Sequence, residues 1–130
     1  MRHTLVALVA VITLVVAAGA VPAYAIGATA DIPFPFVVKG QTLPAGKYEI
    51  EETSPELLTI RSMTTKAAAT ELMVITRLAA TTTGSNPKLV FDKVGERDYL
   101  SEVWLPDQDG FLVLATKGPH THRSVGGMKK

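Results

Sequence analysis

Short runs of strand-forming residues, separated by proline and glycine clusters, make up the chain after its first 25 residues. The runs are rich in Val, Ile, Leu, Thr, Tyr and Phe and recur at fairly regular spacing, which is typical of an all-β sandwich or small barrel. We expect about seven or eight mainly antiparallel strands. The pattern predicts a single small all-β domain over residues 26–125 and a flexible C-terminal tail over residues 126–130.

Individual turns and strands are predicted from glycine and proline positions. The first strand is expected at 32–39, with an irregular or edge position because its two prolines donate no ladder hydrogen bonds. Pro44 and Gly46 predict a hairpin turn, with Pro44 at the first central position and Gly46 in the left-handed conformation. Gly95-Glu96 is a two-residue connection with glycine first, which predicts a type II′ hairpin.

Residues 66–80 fit two kinds of secondary structure. The spacing of Leu72, Ile75 and Leu78 is compatible with a helix, whereas residues 72–76 form a continuous apolar run typical of a buried strand. We favour a strand, because the neighbouring segments are strands and no capping residue stands where a helix would begin.

The start of the chain has the features of a secretory signal. Residues 5–20 are an apolar run without a charged side chain, preceded by a short basic start. Pro22 ends any helix, and Ala23 and Ala25 provide the small side chains that a signal peptidase recognises before its cleavage site. Residues 1–25 are therefore predicted to be a signal peptide cleaved after Ala25, which predicts an exported protein, periplasmic or extracellular. The alternative is an uncleaved membrane anchor, because the apolar run is only slightly shorter than the roughly 17 to 25 residues that a spanning helix needs.

The charge and the cysteine content of the mature chain limit the partners it can bind and the chemistry it can perform. Removing Arg2 leaves twelve of the thirteen Lys and Arg residues against twelve Asp and Glu residues, so the remainder is formally neutral. We therefore expect no nucleic-acid binding and no attraction to anionic membranes. There is no cysteine, which excludes thiolate metal sites, thiol nucleophiles and disulfides.

Two histidines are the candidate metal ligands. His120 and His122 are separated by one residue near an expected short strand at 120–125, and this spacing would place both imidazoles on one face. Such a pair could hold zinc or copper, although a site needs further ligands that the sequence does not identify. The alternative is two solvated histidines in a segment that follows Gly118-Pro119.

Asp107-Gln108-Asp109-Gly110 has the alternating acidic positions and the glycine that begin a calcium loop. The closing position of such a loop is Thr116 instead of glutamate. Turn chemistry alone explains the motif, so we favour a turn.

Motifs of known enzymes are absent from the sequence. There is no Gly-x-Ser-x-Gly elbow, no His-Glu-x-x-His and no phosphate-binding glycine loop. Trp104 could stack on a sugar, but packing at the core or its rim is the favoured role. We therefore predict no catalytic residue, no cofactor and no enzyme activity, with a hydrolase assembled by the fold as an alternative.

Four motifs together carry a resemblance to known proteins. They are Pro-Phe-Pro-Phe-Val-Val at 33–38, Leu-Pro-Ala-Gly-Lys-Tyr at 43–48, Leu-Val-Phe at 89–91 and Tyr-Leu-Ser-Glu-Val-Trp at 99–104. In these the chain resembles a family of small exported β-rich proteins of environmental Gram-negative bacteria, to which no function is assigned. The resemblance implies the fold and the export but no substrate and no catalytic residue.

These observations lead to three functional hypotheses. We favour an exported, non-catalytic envelope or periplasmic module that binds an unknown envelope protein or glycan on a sheet edge or face, without a membrane span in the mature form. A small metal or ligand carrier that uses His120 and His122 is the alternative. An unrecognised hydrolase is the second alternative.

Overall fold

A computed structural model describes residues 26–79 and 86–129 of the chain. The predicted signal peptide and its cleavage residues Ala23 and Ala25 lie outside the described residues. Within the described residues there is no helix, and hence none long and apolar enough to span a membrane. Two mainly antiparallel sheets pack together without closing into a barrel in this part of the chain, which confirms the all-β sandwich.

Twelve short strands, more than the seven or eight expected, are present in the described ranges. In chain order they are β1 (Ile26–Ile32), β2 (Phe36–Val38), β3 (Gln41–Leu43), β4 (Gly46–Ser54), β5 (Leu57–Ser62), β6 (Thr70–Met73), β7 (Thr76–Leu78), β8 (Lys88–Val94), β9 (Arg97–Trp104), β10 (Gly110–Leu112), β11 (Thr121–Gly126) and β12 (Met128–Lys129). Sheet A has the order β12-β1-β4-β5-β6 and sheet B the order β11-β8-β9-β10-β7. The β2–β3 hairpin joins sheet B through a parallel pairing of β2 with β9.

The core lies between the two sheets and is centred on aromatic rings. Phe36 packs edge-to-face on Tyr48 at 5.0 Å and on Phe91 at 5.5 Å between ring centroids. Phe34 adds a third such contact with Phe91 at 5.0 Å. Contacts of this geometry contribute about 0.5–1.5 kcal/mol each beyond the burial of the rings.

The predicted first strand at 32–39 is wrong in its extent. It covers the end of β1, a break and β2, and β1 begins earlier, at Ile26. Pro33 and Pro35 lie in the break, where no ladder donor is needed, and they are exposed while the two phenylalanines of the motif are buried.

The predicted hairpin at Pro44 and Gly46 is also wrong. β3 pairs only with β2, whereas β4 belongs to sheet A, so the chain crosses between the sheets at this point. Gly46 does not have a positive φ. The Tyr48 hydroxyl donates a 2.6 Å hydrogen bond to the Pro44 carbonyl, so the motif is a tyrosine-braced crossover rather than a hairpin turn.

Positive φ angles occur instead at Lys39 (50°) and Gly40 (76°), the two residues that connect β2 to β3. Two consecutive positive φ values are the type I′ pattern. The second hairpin, between β8 and β9, has a positive φ only at Gly95 (63°) and pairs Val94 with Arg97. This pattern confirms the predicted two-residue turn with glycine first.

The strand interpretation of residues 66–80 is confirmed for the part described, but the segment forms two strands in different sheets. β6 pairs with β5 in sheet A, and β7 pairs with β10 in sheet B. The Val74 amide donates to the Glu56 carbonyl at 3.0 Å and the Ile75 amide to the Leu112 carbonyl at 2.7 Å. The amides of these two consecutive residues therefore donate hydrogen bonds to different sheets. The apolar run 72–76 is thus shared between two strands, which explains why its pattern did not indicate a single strand or helix.

The end of the chain is paired within the described residues. The predicted tail, residues 126–130, begins at the last residue of β11, and Met128 and Lys129 pair with β1. β11 pairs with β8 along its whole length and places His122 beside that strand, while His120 lies directly before β11.

Candidate metal centre

The candidate site lies on the outer face of sheet B, where β8 and β11 are neighbours. Phe91 of β8 points into the core, so the next residue, Asp92, faces the opposite side of the sheet. Asp92 stands directly opposite His122 in the antiparallel register. Its residue exposure is only 3 %, although an outward-facing aspartate is ordinarily solvated.

The segment that follows β10 accounts for this burial. Its Val113 amide donates to the Ser101 carbonyl on β9 at 2.8 Å. Further along, the Thr116 hydroxyl reaches Asp92 Oδ2 at 2.6 Å. The segment therefore passes from β9 to β8 and closes over the carboxylate.

A β-bulge supplies a second hydroxyl to Asp92. Val90 pairs with Glu102 and Phe91 with Leu100, so Ser101 is an extra residue in β9. Its Oγ lies 3.1 Å from the Val90 carbonyl oxygen and 2.9 Å from Asp92 Oδ1, and its one proton is shared between these acceptors. The bulge thus places a buried donor under the carboxylate.

His120 precedes β11 and is oriented by the backbone. Its Nδ1 lies 2.9 Å from the Gly118 carbonyl oxygen, which can only accept, so Nδ1 carries a proton. In the neutral ring the lone pair is then on Nε2, which lies 3.9 Å from Asp92 Oδ2. Gly118 has a φ of 91°, a backbone conformation that favours glycine.

His122 contacts the same carboxylate from β11. Its Nδ1 is 2.9 Å from Asp92 Oδ1, and the rings of His120 and His122 are 5.0 Å apart and nearly perpendicular. The side chain of His122 is 61 % exposed against 22 % for His120. His120 is therefore held in place at the protein surface, whereas the His122 ring is largely in solvent and is free to change its orientation.

The three side chains have the chemistry and almost the spacing of a metal site. One ligand atom from each of Asp92, His120 and His122 lies within 4.8 Å of the others. Zinc bonds to nitrogen and oxygen are about 2.0–2.2 Å long, so two ligands of one ion are at most about 4.4 Å apart. In the structure His122 Nδ1 carries the proton of its hydrogen bond to Asp92, so this nitrogen could bind an ion only after the ring proton moves to Nε2 or is released. Two imidazoles and a carboxylate suit zinc, copper(II) or iron(II) and leave a position for water.

The structure places both predicted histidines in one cluster but adds residues that sequence reasoning missed. The sequence does not predict Asp92, Ser101 or Thr116 as residues of a site with the two histidines. Asp92 offered one weak signal, an acidic residue directly after the apolar run 89–91 and close to a well-supported hairpin. Its partner His122 is 30 residues away, and no local pattern connects them.

The acidic turn before β10 is closed by a guanidinium group. Arg77 donates to the Gln108 side-chain oxygen at 3.1 Å and to the Asp109 carbonyl at 3.0 Å. Arg77 also stacks on Phe111 at 3.9 Å. These contacts hold the turn in its conformation without a bound ion, which supports the turn interpretation.

Trp104 packs against its own sheet. Any Cβ at Gly110 would lie 2.7 Å from its ring, and Lys88 Nζ lies 5.2 Å from a ring centroid. The indole nitrogen donates to Glu102 at 2.9 Å. These contacts support the packing role over a sugar platform.

No protein-family model matches the chain, and neither a curated protein nor a solved structure matches it. The resemblance carried by the four motifs therefore stays a prediction.

Proposed function

We propose that this protein binds one divalent transition-metal ion, zinc or copper, at Asp92, His120 and His122, and that it acts outside the cytoplasm as a metal carrier. The observation that carries the proposal is the convergence of both imidazoles on one buried carboxylate. Isolated solvated histidines, the alternative weighed from the sequence, would not share such a partner.

The hydrogen bonds around the cluster support a ligand role. A metal-bound histidine normally donates its other ring nitrogen to a carbonyl or carboxylate, which fixes the ring and its tautomer. His120 makes this contact with the Gly118 carbonyl, and its Nε2 faces Asp92. Ser101 and Thr116 orient the carboxylate in the same way.

The position of the site supports reversible binding. The apolar core lies between the sheets and contains none of the three ligands, so the fold does not depend on a metal to hold it together. His122 is largely exposed, so an ion can enter and leave from solvent. We therefore propose a carrier or buffer rather than a structural site.

The experiment is a titration of the purified domain with zinc and with copper(II) by isothermal calorimetry. Wild type should bind one ion. The metal affinity of the His120→Ala/His122→Ala variant should fall by more than the roughly 10- to 100-fold that is typical when a residue that only supports a ligand is removed. Thr121→Ala, an exposed change between the two histidines, is the matched control and should bind as wild type. Equal affinity of wild type and the double variant would refute the proposal.

The wider proposal of a non-catalytic envelope module is compatible with the metal site, because metal binding would be its binding activity. Its protein or glycan partner and the export of the chain stay predictions. Crosslinking of the tagged protein in its own cells, followed by mass spectrometry, tests for a partner. Fractionation of the same cells tests export.

A further inference from the structure

An apolar groove of about 390 Å³ opens between the two sheets, beside the passage from β6 to β7. Its volume falls in the range of pockets that hold small molecules, about 300–1,000 Å³. The residues that line it are mainly aliphatic and come from both sheets and from the segment after β10: Val37, Val38, Leu72, Leu100, Val113 and Leu114.

The rim of the groove exposes further apolar surface. Met73 is 73 % exposed and Ile75 is 59 % exposed, and both line the groove. Apolar surface that continues from a groove onto its rim commonly marks a binding site. An occupant that covered this rim would remove both side chains from water.

Two residues of the lining have polar side chains. They are Lys39, held in the type I′ turn, and Tyr99, which pairs with Val37 beside it. Lys39 forms no ion pair with another described residue. The groove thus combines a hydrocarbon lining with one available cation.

We propose that this groove binds a single-chain amphiphile with an anionic head group, a long-chain carboxylate, with the tail along the aliphatic walls and the carboxylate at Lys39. A hydrocarbon tail has no polar groups to satisfy, whereas a peptide in the same groove would bury amide groups against aliphatic side chains. The lining therefore favours an amphiphile over a protein segment. The proposal is independent of the metal site, whose three ligands are not in the groove.

The test is binding of sodium dodecanoate below its micelle concentration, measured by calorimetry and native mass spectrometry. Wild type should bind one dodecanoate and should bind dodecyltrimethylammonium at least tenfold more weakly. Ile75→Glu and Met73→Glu should each weaken dodecanoate binding at least tenfold. Lys39→Gln should weaken dodecanoate binding and leave dodecanol binding unchanged.

Met128→Glu is the matched control, because Met128 is 72 % exposed and lies on β12, outside the groove. It should bind dodecanoate as wild type does. All variants change exposed residues, and circular dichroism with thermal unfolding confirms that each is folded.

Three results would overturn the proposal. They are no binding of dodecanoate by wild type, binding that the Ile75→Glu variant retains, and a dimer in solution that Met73→Glu dissociates while dodecanoate does not bind. The last result would assign the groove to a second copy of the chain.

Discussion

Asp92 is the residue on which the candidate site depends. Its two oxygens accept hydrogen bonds from Ser101, Thr116 and His122, and it is almost completely buried. Buried carboxylates are tolerated only with such partners, so the side chain contributes to stability as well as to the proposed metal site.

We expect Asp92→Ala to lower the free energy of unfolding by about 1–3 kcal/mol, because it removes the acceptor of the half-buried Thr116 hydroxyl and one of the two acceptors of the buried Ser101 hydroxyl. Urea unfolding measures the change. Asp92→Asn, which keeps the shape, should cost less stability but should still weaken zinc binding. Asp31→Ala is the control, since the Asp31 side chain is exposed in β1. Equal loss in the Asp92 and Asp31 alanine variants would contradict this account.

Tyr48 links burial to pH at the residue scale. Burial raises the pKa of the Tyr48 hydroxyl above its ordinary value of about 10. The folded state favours the neutral phenol. The contribution of Tyr48 to the free energy of unfolding is therefore complete below pH 10 and is lost as the pH rises through the higher pKa of the folded state.

Tyr48→Phe should cost about 1 kcal/mol at pH 7 through loss of the hydrogen bond to Pro44. It should also reduce the fall in stability between pH 9 and pH 11. Urea unfolding at the two pH values measures both effects. Tyr99→Phe is the control and should keep the alkaline fall, because Tyr48 is still present. An unchanged alkaline fall in Tyr48→Phe would contradict the assignment.

At the scale of elements, the β-bulge and the sheet crossings decide how the strands fit together. The bulge at Ser101 places its hydroxyl beneath Asp92, and the 74–75 step moves the chain from sheet A to sheet B. β10 is held on one side by β9 and on the other by β7. A close approach of Gly110 to Trp104 is part of that packing.

Gly110→Ala should destabilise the protein by about 1–3 kcal/mol, because its Cβ would lie 2.7 Å from the Trp104 ring. Gly126→Ala is the matched control in a strand, where nothing lies within 4 Å of the added carbon. Urea unfolding with tryptophan fluorescence reports both variants. A loss as large at Gly126 as at Gly110 would show that glycine conformational freedom, rather than the clash, is responsible.

At the scale of the whole molecule, the core and the candidate site are separate. The core is built between the sheets, while the three ligands lie on the outer face of sheet B. We therefore expect folding to proceed without an ion, and an ion that binds only the folded state to add to stability.

Protein treated with EDTA should still unfold cooperatively in a thermal scan. Zinc at one hundred times its dissociation constant should stabilise wild type by about 2.7 kcal/mol and should leave the His120→Ala/His122→Ala variant unchanged. Loss of cooperative unfolding in EDTA would show that the site is structural instead.

The amino-acid sequence by itself determined the features that depend on a few neighbouring residues. The all-β class follows from strand-forming runs between turn residues, and the turn at Gly95 follows from a conformation that glycine adopts most readily. His120 and His122 lie together because residues two apart in an extended chain share a face.

Tertiary structure alone decided which distant residues meet. Asp92 becomes a third candidate ligand only because β8 pairs with β11 in one register and the segment after β10 covers it. Pro44 and Gly46 form a crossover instead of a hairpin because the strands they connect belong to different sheets. Local preferences act over a few residues, whereas strand pairing and sheet packing minimise the free energy of the whole chain, and only the latter places the site and the groove.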